Sequence, residues 1–532
     1  MTSHPDVILV GSGINSLVCA ALLATRGKRV LVLERNDRLG GCIRTEELFP
    51  GYRHDVLSQW YPLFVGSPAY TELRSKLEAA GLVFEQCDYT TGLVLLDGRG
   101  IALKQNIGDT VRRLEAVAPG DGVAFGAMAT RLFGEDAALT FGLLGQQPYG
   151  LGVVKLLFRE WRKRGLEGLT GFAADSLESF RRWSERSLRH DLSRALMAPW
   201  VLHSGLGPDE SCSALIGKLT FAAVVAGGMP VVRGGSDGIV QALRQVIEQH
   251  GGELRVNAEV TEVLVNGSGR RVRAVGVRVG SETIRADEAV ICNVTPPQLY
   301  GKLWPQAPSP VRERAAGYRF GRGGMQVHFA LRGTPNWADA ELARVPLLHL
   351  TESLEQVCTS VVEANNGLLP SRPTLAIGQP TAVDPSRAPA GGSILWIQMQ
   401  ELPVRLRGDA AAQIEVPADG CWTDAVREAM ADRVQARLEQ VMPGLAQQIV
   451  GRRAFGPADL QALNANLVGG DPYSGTCSPD QFFWLRPFAA TQGARTHRTP
   501  CRGLYQIGAS THPGPGLGAG SGYLVAQALA PR

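Results

Sequence analysis

Gly11, Gly13, Ser16 and Glu34 have the residue types and spacing to hold a dinucleotide. Gly11 permits a tight turn, and Gly13 lets backbone N–H groups approach a diphosphate. Ile14 and Asn15 open a helix whose N-terminus favours an anion. The third fingerprint place holds Ser16 instead of glycine, and serine is small enough for helix–strand packing there. Glu34 can accept hydrogen bonds from a ribose diol and would repel a 2′-phosphate, which disfavours NADP.

These residues need a strand, a turn, a helix and a second strand. Val7 to Val10 is a short apolar run suited to a buried parallel strand. Leu17, Ala20, Ala21 and Leu23 carry a helix that ends near Gly27, and Arg29 to Leu33 is the second strand. The order makes a βαβ unit closed by an acid. Next comes RNDRLGGCIRT, Arg35 to Thr45. A Gly40–Gly41 pair after the acid is not part of the nicotinamide fingerprint. It resembles the extended loop of FAD enzymes of the glutathione-reductase-like and amine-oxidase-like type, with Arg44 adding positive charge beside the diphosphate. Arg35, Gly40, Gly41 and Arg44 therefore join the candidate cofactor-binding set.

The 532 residues suggest two to four domains at roughly 150 residues each. A chain 44% hydrophobic and 20% charged can fill a large core. Its dispersed net charge of +4 does not point to nucleic acid. The nine cysteines are scattered without a C-x-x-C pair, which argues against zinc or a disulfide framework and for a reducing, cytoplasmic setting. No metal site is expected. The start lacks a basic leader, and the apolar stretches 137–154, 219–232 and 503–531 are broken by Gln, Gly or Pro, so no spanning helix is expected.

GYRHDVLSQWYP, Gly51 to Pro62, extends the pattern, and the first 60 residues resemble the phytoene desaturase (carotenoid dehydrogenase) branch of FAD oxidoreductases. They are especially similar to the group that includes pyridine nucleotide-disulphide oxidoreductase domain-containing protein 2. Gly227 to Val265, Ala286 to Leu299, Ser478 to Pro487 and Gly503 to Leu529 resemble later stretches of the same family. After Thr-His-Pro-Gly the chain departs from the usual glycine run, reading Pro515, Gly516, Leu517, Gly518. The resemblance implies an α/β fold: a Rossmann-type FAD-binding domain, discontinuous over 1–75, 230–298 and 475–532, with an interleaved α+β substrate domain over 76–229 and 299–474. It implies backbone contacts from Val260 to adenine, although a plain core valine is the alternative. It also adds Gly508, Ala509, Gly518 and Ala519 to the cofactor set. By its own pattern, Leu504 to Ile507 is a strand, Gly508 to Gly520 a loop, and Gly522 to Leu529 a helix. The helix N-terminus carries roughly half a positive charge, suited to the pyrimidine edge of a reduced flavin.

Elsewhere, Met325 to Gly333 alternates as a strand over the flavin, Asp424 to Val441 has helical spacing, and Pro380 to Gly392 reads as a surface loop. His54 and His512 are the candidate catalytic side chains, each with a structural alternative. Leu151 to Gly165 can form a basic amphipathic helix, five cations against Glu160, with Leu151, Val154, Leu157, Phe158 and Trp161 on one face. Such a helix could lie on an anionic membrane or pack on the substrate domain with a solvated basic face, and membrane-facing helices are expected near 151–195. The expected activity is an FAD-dependent dehydrogenase or desaturase forming a double bond in an apolar, elongated small molecule. With one dinucleotide fingerprint only, oxygen or a quinone is the expected electron acceptor. An amine or alcohol oxidase, a flavin-dependent isomerase, and a flavin-bearing scaffold without turnover are the alternatives.

Overall fold

The structure, a computed structural model, describes residues 4–491 and 493–531. A five-stranded parallel sheet runs in the order Leu504–Gln506, Ala289–Cys292, Val7–Val10, Val30–Leu33, Glu253–Arg255. Its central strands are apolar at every position because both faces are covered. Val7 and Leu9 face a helical layer containing Ile14–Thr25, Pro68–Ala79, Asp237–Gln249 and Gly520–Leu529. Ile8 and Val10 face a three-stranded antiparallel sheet, Val260–Asn266, Arg273–Val279 and Glu282–Arg285.

A second, seven-stranded sheet has the order Ile449–Phe455, Gly323–Arg332, Gly392–Leu402, Leu375–Gly378, Leu347–Leu350, Tyr89–Val94, Gly100–Lys104. Successive side chains of a strand point to opposite faces. On one face Met325, Val327, Phe329, Leu348, Ile377, Leu395 and Ile397 pack on Val426, Met430, Val434 and Leu438 of helix Asp424–Val441. The other face carries Gln326, His328, His349, Trp396, Gln398 and Gln400. It lies beneath helices Pro199–Leu202 and Ser213–Gly227. A polar sheet face turned into the molecule is costly unless its groups find partners, and Gln326 finds one in the Leu57 backbone, whose N–H it accepts at 2.9 Å.

One expectation needs correction. Pro380 to Gly392 lacks long elements, but it is not simply a surface loop. Its Arg387 side chain is wholly buried, ion-paired with Asp55 and Asp384. Helix Leu151–Leu177 is broken at Gly165, where φ is +71°, and it inverts the usual amphipathic arrangement. Val153, Leu156 and Glu160 turn inward, while Leu151, Val154, Phe158 and Trp161 are 78, 62, 55 and 48% exposed. Glu160 is tolerated inside because Arg164 pairs with it. Among the described residues no helix is long and apolar enough to cross a membrane.

Candidate functional site

The cradle forms where the first strand ends. Gly11 turns with φ +85°, and helix Ile14–Thr25 begins without a side-chain cap, leaving its first N–H groups unclaimed by side chains. Gly40–Gly41 packs directly on this turn. Gly13 bridges to Gly40, and a Cβ on Gly41 would lie 3.0 Å from the Gly13 Cα, at a φ of +62°. Only glycine permits that approach. Glu34, 6% exposed, stands at the end of the second strand. Its Oε2 accepts from the Ser12 N–H and hydroxyl at 2.9 and 2.6 Å, and its Oε1 from the Asn36 N–H at 2.9 Å.

The C-terminal motif meets this turn from the other side. Helix Gly520–Leu529 begins after Ala519 at φ +58° without a cap from that residue, and Asn15 Oδ1 accepts from its Gly522 N–H at 3.3 Å. The Ser521 hydroxyl donates to Asn15 Oδ1 at 2.7 Å and accepts from the Gly508 N–H at 2.9 Å. Two helix N-termini thus converge, and each contributes roughly +0.5 of a charge. Ala509 is held through its carbonyl, which accepts from Nε of the buried Arg486 at 2.6 Å. Gly518 abuts Leu63.

Sequence reasoning missed Asn293, which follows the apolar strand Ala289–Cys292. Its Nδ2 donates to Ser16 Oγ at 3.1 Å, so the serine in the third fingerprint place is a hydrogen-bonding partner as well as a small residue. A Cβ on Gly13 would lie 3.0 Å from Asn293 Nδ2, and one on Gly508 2.3 Å from Oδ1. Both glycines therefore make room for this amide. A polar residue directly after an all-apolar strand was the available signal.

The remaining candidates are placed as follows. Arg44 is ion-paired with Glu46, which balances its charge locally. Arg35 is exposed beside the cradle. The Val260 side chain is buried between the sheets, two residues beyond Ala258, whose N–H donates to the Glu34 carbonyl. His512 is buried, with Nε2 at 3.1 Å from the Leu144 carbonyl, while its own carbonyl accepts from His497 Nε2 at 2.7 Å. These bonds tie the loop down, and burial lowers the His512 pKa to about 4. His54 stacks edge-on against Phe49 and His328, neither ring nitrogen has a partner among the described residues, and burial lowers its pKa to about 3.

Histidines outside every motif form the closest pair. His203, at the end of helix Pro199–Leu202, and His349, on strand Leu347–Leu350, face each other with Nε2 atoms 2.8 Å apart. A contact that short needs one proton between the two nitrogens. Burial lowers His203 to about 4 and His349 well below its usual value, so the pair is neutral at pH 7. With Gln400 Nε2 donating to His203 Nδ1 at 3.3 Å, His203 donates from Nε2 and His349 carries its proton on Nδ1. That nitrogen has no partner among the described residues. Trp200 stacks on His203 at 4.8 Å. The same interior holds buried polar atoms of Gln59, Trp60, Trp200 and Trp396 that have no partner among the described residues. Such groups cost about 1–3 kcal/mol each when unmet.

These features fit FAD. The uncapped helix end after Gly13 suits a diphosphate, Glu34 suits a ribose, and the unmet buried groups suit a ligand between the cradle and the polar sheet face. Comparison with known proteins agrees. Residues 17–527 match the flavin containing amine oxidoreductase family. Pyridine nucleotide-disulfide oxidoreductase domain-containing protein 2 of Rattus norvegicus is 26% identical, over 97% of this chain and 92% of its own length. A limonene dehydrogenase polypeptide of Castellaniella defragrans is 25% identical, over 99% and 94%. The neurosporene-forming phytoene desaturase of Rhodobacter capsulatus is 24% identical, over 98% and 93%. An oxidoreductase from Methanosarcina mazei shares the fold with a TM-score of 0.62 at 15% identity, covering 99% of this chain and 100% of its own. The chain belongs to the flavin containing amine oxidoreductases and is an FAD-dependent oxidoreductase.

Proposed function

We propose that the protein is a dehydrogenase or desaturase that removes a hydride and a proton from adjacent carbons of an apolar, elongated molecule, leaving a double bond. The observation that carries this reading is the interior beside the His203–His349 pair. Trp60, Trp200, Trp396, Tyr473, Phe482 and Phe483 belong to one contact cluster there. Aromatic walls exclude water and offer a C–H-rich substrate a large contact area. Relatives whose names give limonene and phytoene as their substrates support the same class.

In this reading residues 1–75, 230–298 and 475–532 hold FAD, while 76–229 and 299–474 cover the substrate. Bound FAD supplies the two-electron acceptor. Gly11, Gly13, Ile14, Asn15 and Ser16 present the helix end to its diphosphate, Glu34 takes the ribose side, and Gly40 and Gly41 close the loop. The neutral His203–His349 pair offers the substrate side an N–H donor at His349 Nδ1, which has no partner among the described residues. Oxygen or a quinone then takes the electrons, since the sequence carries one dinucleotide fingerprint. The exposed apolar face of helix Leu151–Leu177, flanked by Lys155, Arg159, Arg162 and Lys163, rests on an anionic membrane surface.

The aromatic walls also suit an amine, so an amine oxidase is the second reading. Anaerobic mixing of the FAD-loaded protein with apolar polyenes, acyl chains and amines separates the two. Bleaching of the flavin by polyenes or acyl chains is expected, and bleaching by amines alone rejects desaturation. Reoxidation only by NAD⁺ rejects the acceptor assignment. A product of unchanged mass indicates an isomerase.

A further inference from the structure

Residues 463–466 lie across the mouth of the cradle, although they come from a chain segment far from the fingerprint. They run on from the last residue of helix Pro457–Leu463, whose Leu460 packs with Val56, Leu57 and Phe455. On one side Asn36 Nδ2 donates to the Leu463 carbonyl at 3.2 Å, and Asn464 Nδ2 sits 3.2 Å from Cys42 Sγ. On the other side Asn466 Nδ2 donates to the Asn293 carbonyl at 3.0 Å, and its Oδ1 accepts from the Thr295 N–H at 3.1 Å. Gln298 Nε2 donates to Asn466 Oδ1 and to the Ala465 carbonyl, both at 3.0 Å. Asn464 Oδ1 accepts the Asn466 N–H at 3.0 Å, which locks the two asparagines together.

The segment thus staples the Gly40–Gly41 loop to the turn after strand Ala289–Cys292. These two walls flank Gly13 at the carboxyl ends of the parallel strands, where dinucleotides bind in open α/β sheets. A Cβ on Gly41 would lie 3.7 Å from Asn464 Nδ2, so the amide stands beside the cofactor loop. Cys42, Asn464's partner, is a poor acceptor, its thiol pushed up to about 11 by burial.

We propose that Asn464–Asn466 is a strap over the FAD diphosphate. The Asn464 amide donates toward a diphosphate oxygen, and the staple of Asn466 and Gln298 slows cofactor release. This goes beyond the reaction proposed above and stands or falls independently of it, because its readout is cofactor retention and needs no substrate.

The test follows FAD fluorescence on release from the purified, FAD-loaded full chain. Asn464→Ala should speed release by about tenfold or more, the scale of losing a hydrogen bond to a charged group. Asn464→Asp, nearly isosteric, should release faster still, and added salt should slow it back toward Asn464→Ala because screening weakens the new repulsion. Gln298→Leu leaves both asparagines in place and loosens the staple, and it too should speed release. Thermal unfolding of each apoprotein should match the wild type. Release at the wild-type rate in all three variants overturns the strap. So does equal, salt-independent behaviour of Asn464→Ala and Asn464→Asp, which would mark a purely structural turn.

Discussion

Arg387 and Asp55 show what single residues contribute. Both side chains are fully buried, and Asp55 Oδ1 also accepts from the Ser236 N–H at 2.8 Å and from the Ser236 and Thr45 hydroxyls at 2.7 Å. Arg387 further donates to the Val232 carbonyl at 2.6 Å. The pair therefore ties strand Tyr52–Asp55 to the Gly-rich turn before helix Asp237–Gln249 and to the segment 380–392. Removing one partner leaves a buried, unpaired charge. Arg387→Met should lower the unfolding free energy by about 3–5 kcal/mol, read as a shift of the urea midpoint. A loss below about 1 kcal/mol would mean that the Asp55 carboxyl is satisfied by Ser236 and Thr45 alone. Asp55 stood within a motif singled out from the sequence, whereas Arg387 sat in a stretch that reads as surface, because nothing local marks a partner so distant along the chain.

At the scale of elements, helix Leu151–Leu177 shows that periodicity finds a face but not its direction. The apolar spacing of Leu151, Val154, Phe158 and Trp161 is visible in the sequence, and ordinary amphipathic logic would turn it inward. The structure turns it outward, because Leu156 and Val153 fill the inner side and Glu160 finds Arg164 there. A solvent-facing apolar stripe beside Lys155, Arg159, Arg162 and Lys163 is suited to an anionic lipid surface. Sedimentation with vesicles containing phosphatidylserine should carry the protein down, neutral vesicles should do so less, and Phe158→Ser with Trp161→Ser should abolish it while FAD content stays unchanged. Equal binding to neutral and anionic vesicles would remove the electrostatic half of this account.

For the molecule as a whole, the buried histidines set a pH dependence. Burial lowers His54 and His497 to about 3 and His203 and His512 to about 4, against about 6.5 in an unfolded chain. The unfolded state therefore binds more protons below that value. Stability is fully present above about pH 6.5 and is lost as pH falls toward about 4. The carboxyls of Asp237, Glu401 and Asp471, raised by burial, act in the opposite sense above the usual carboxylate range, and they are fewer than the buried histidines. The melting temperature should drop steadily from pH 7 to pH 5. A flat profile across that range would show that these histidines are not neutral and buried as described.

The sequence by itself determined the βαβ unit, the glycine turn, the acid at Glu34, the helix Asp424–Val441 and the closing strand and helix. Each is a local pattern in which backbone geometry and burial repeat over a few residues. Only the tertiary structure brought Asn293 against Ser16, laid Asn464–Asn466 over the cradle and set His203 against His349. Those contacts join residues that no periodicity links, and their partners are fixed by how the two sheets and the helical layer pack.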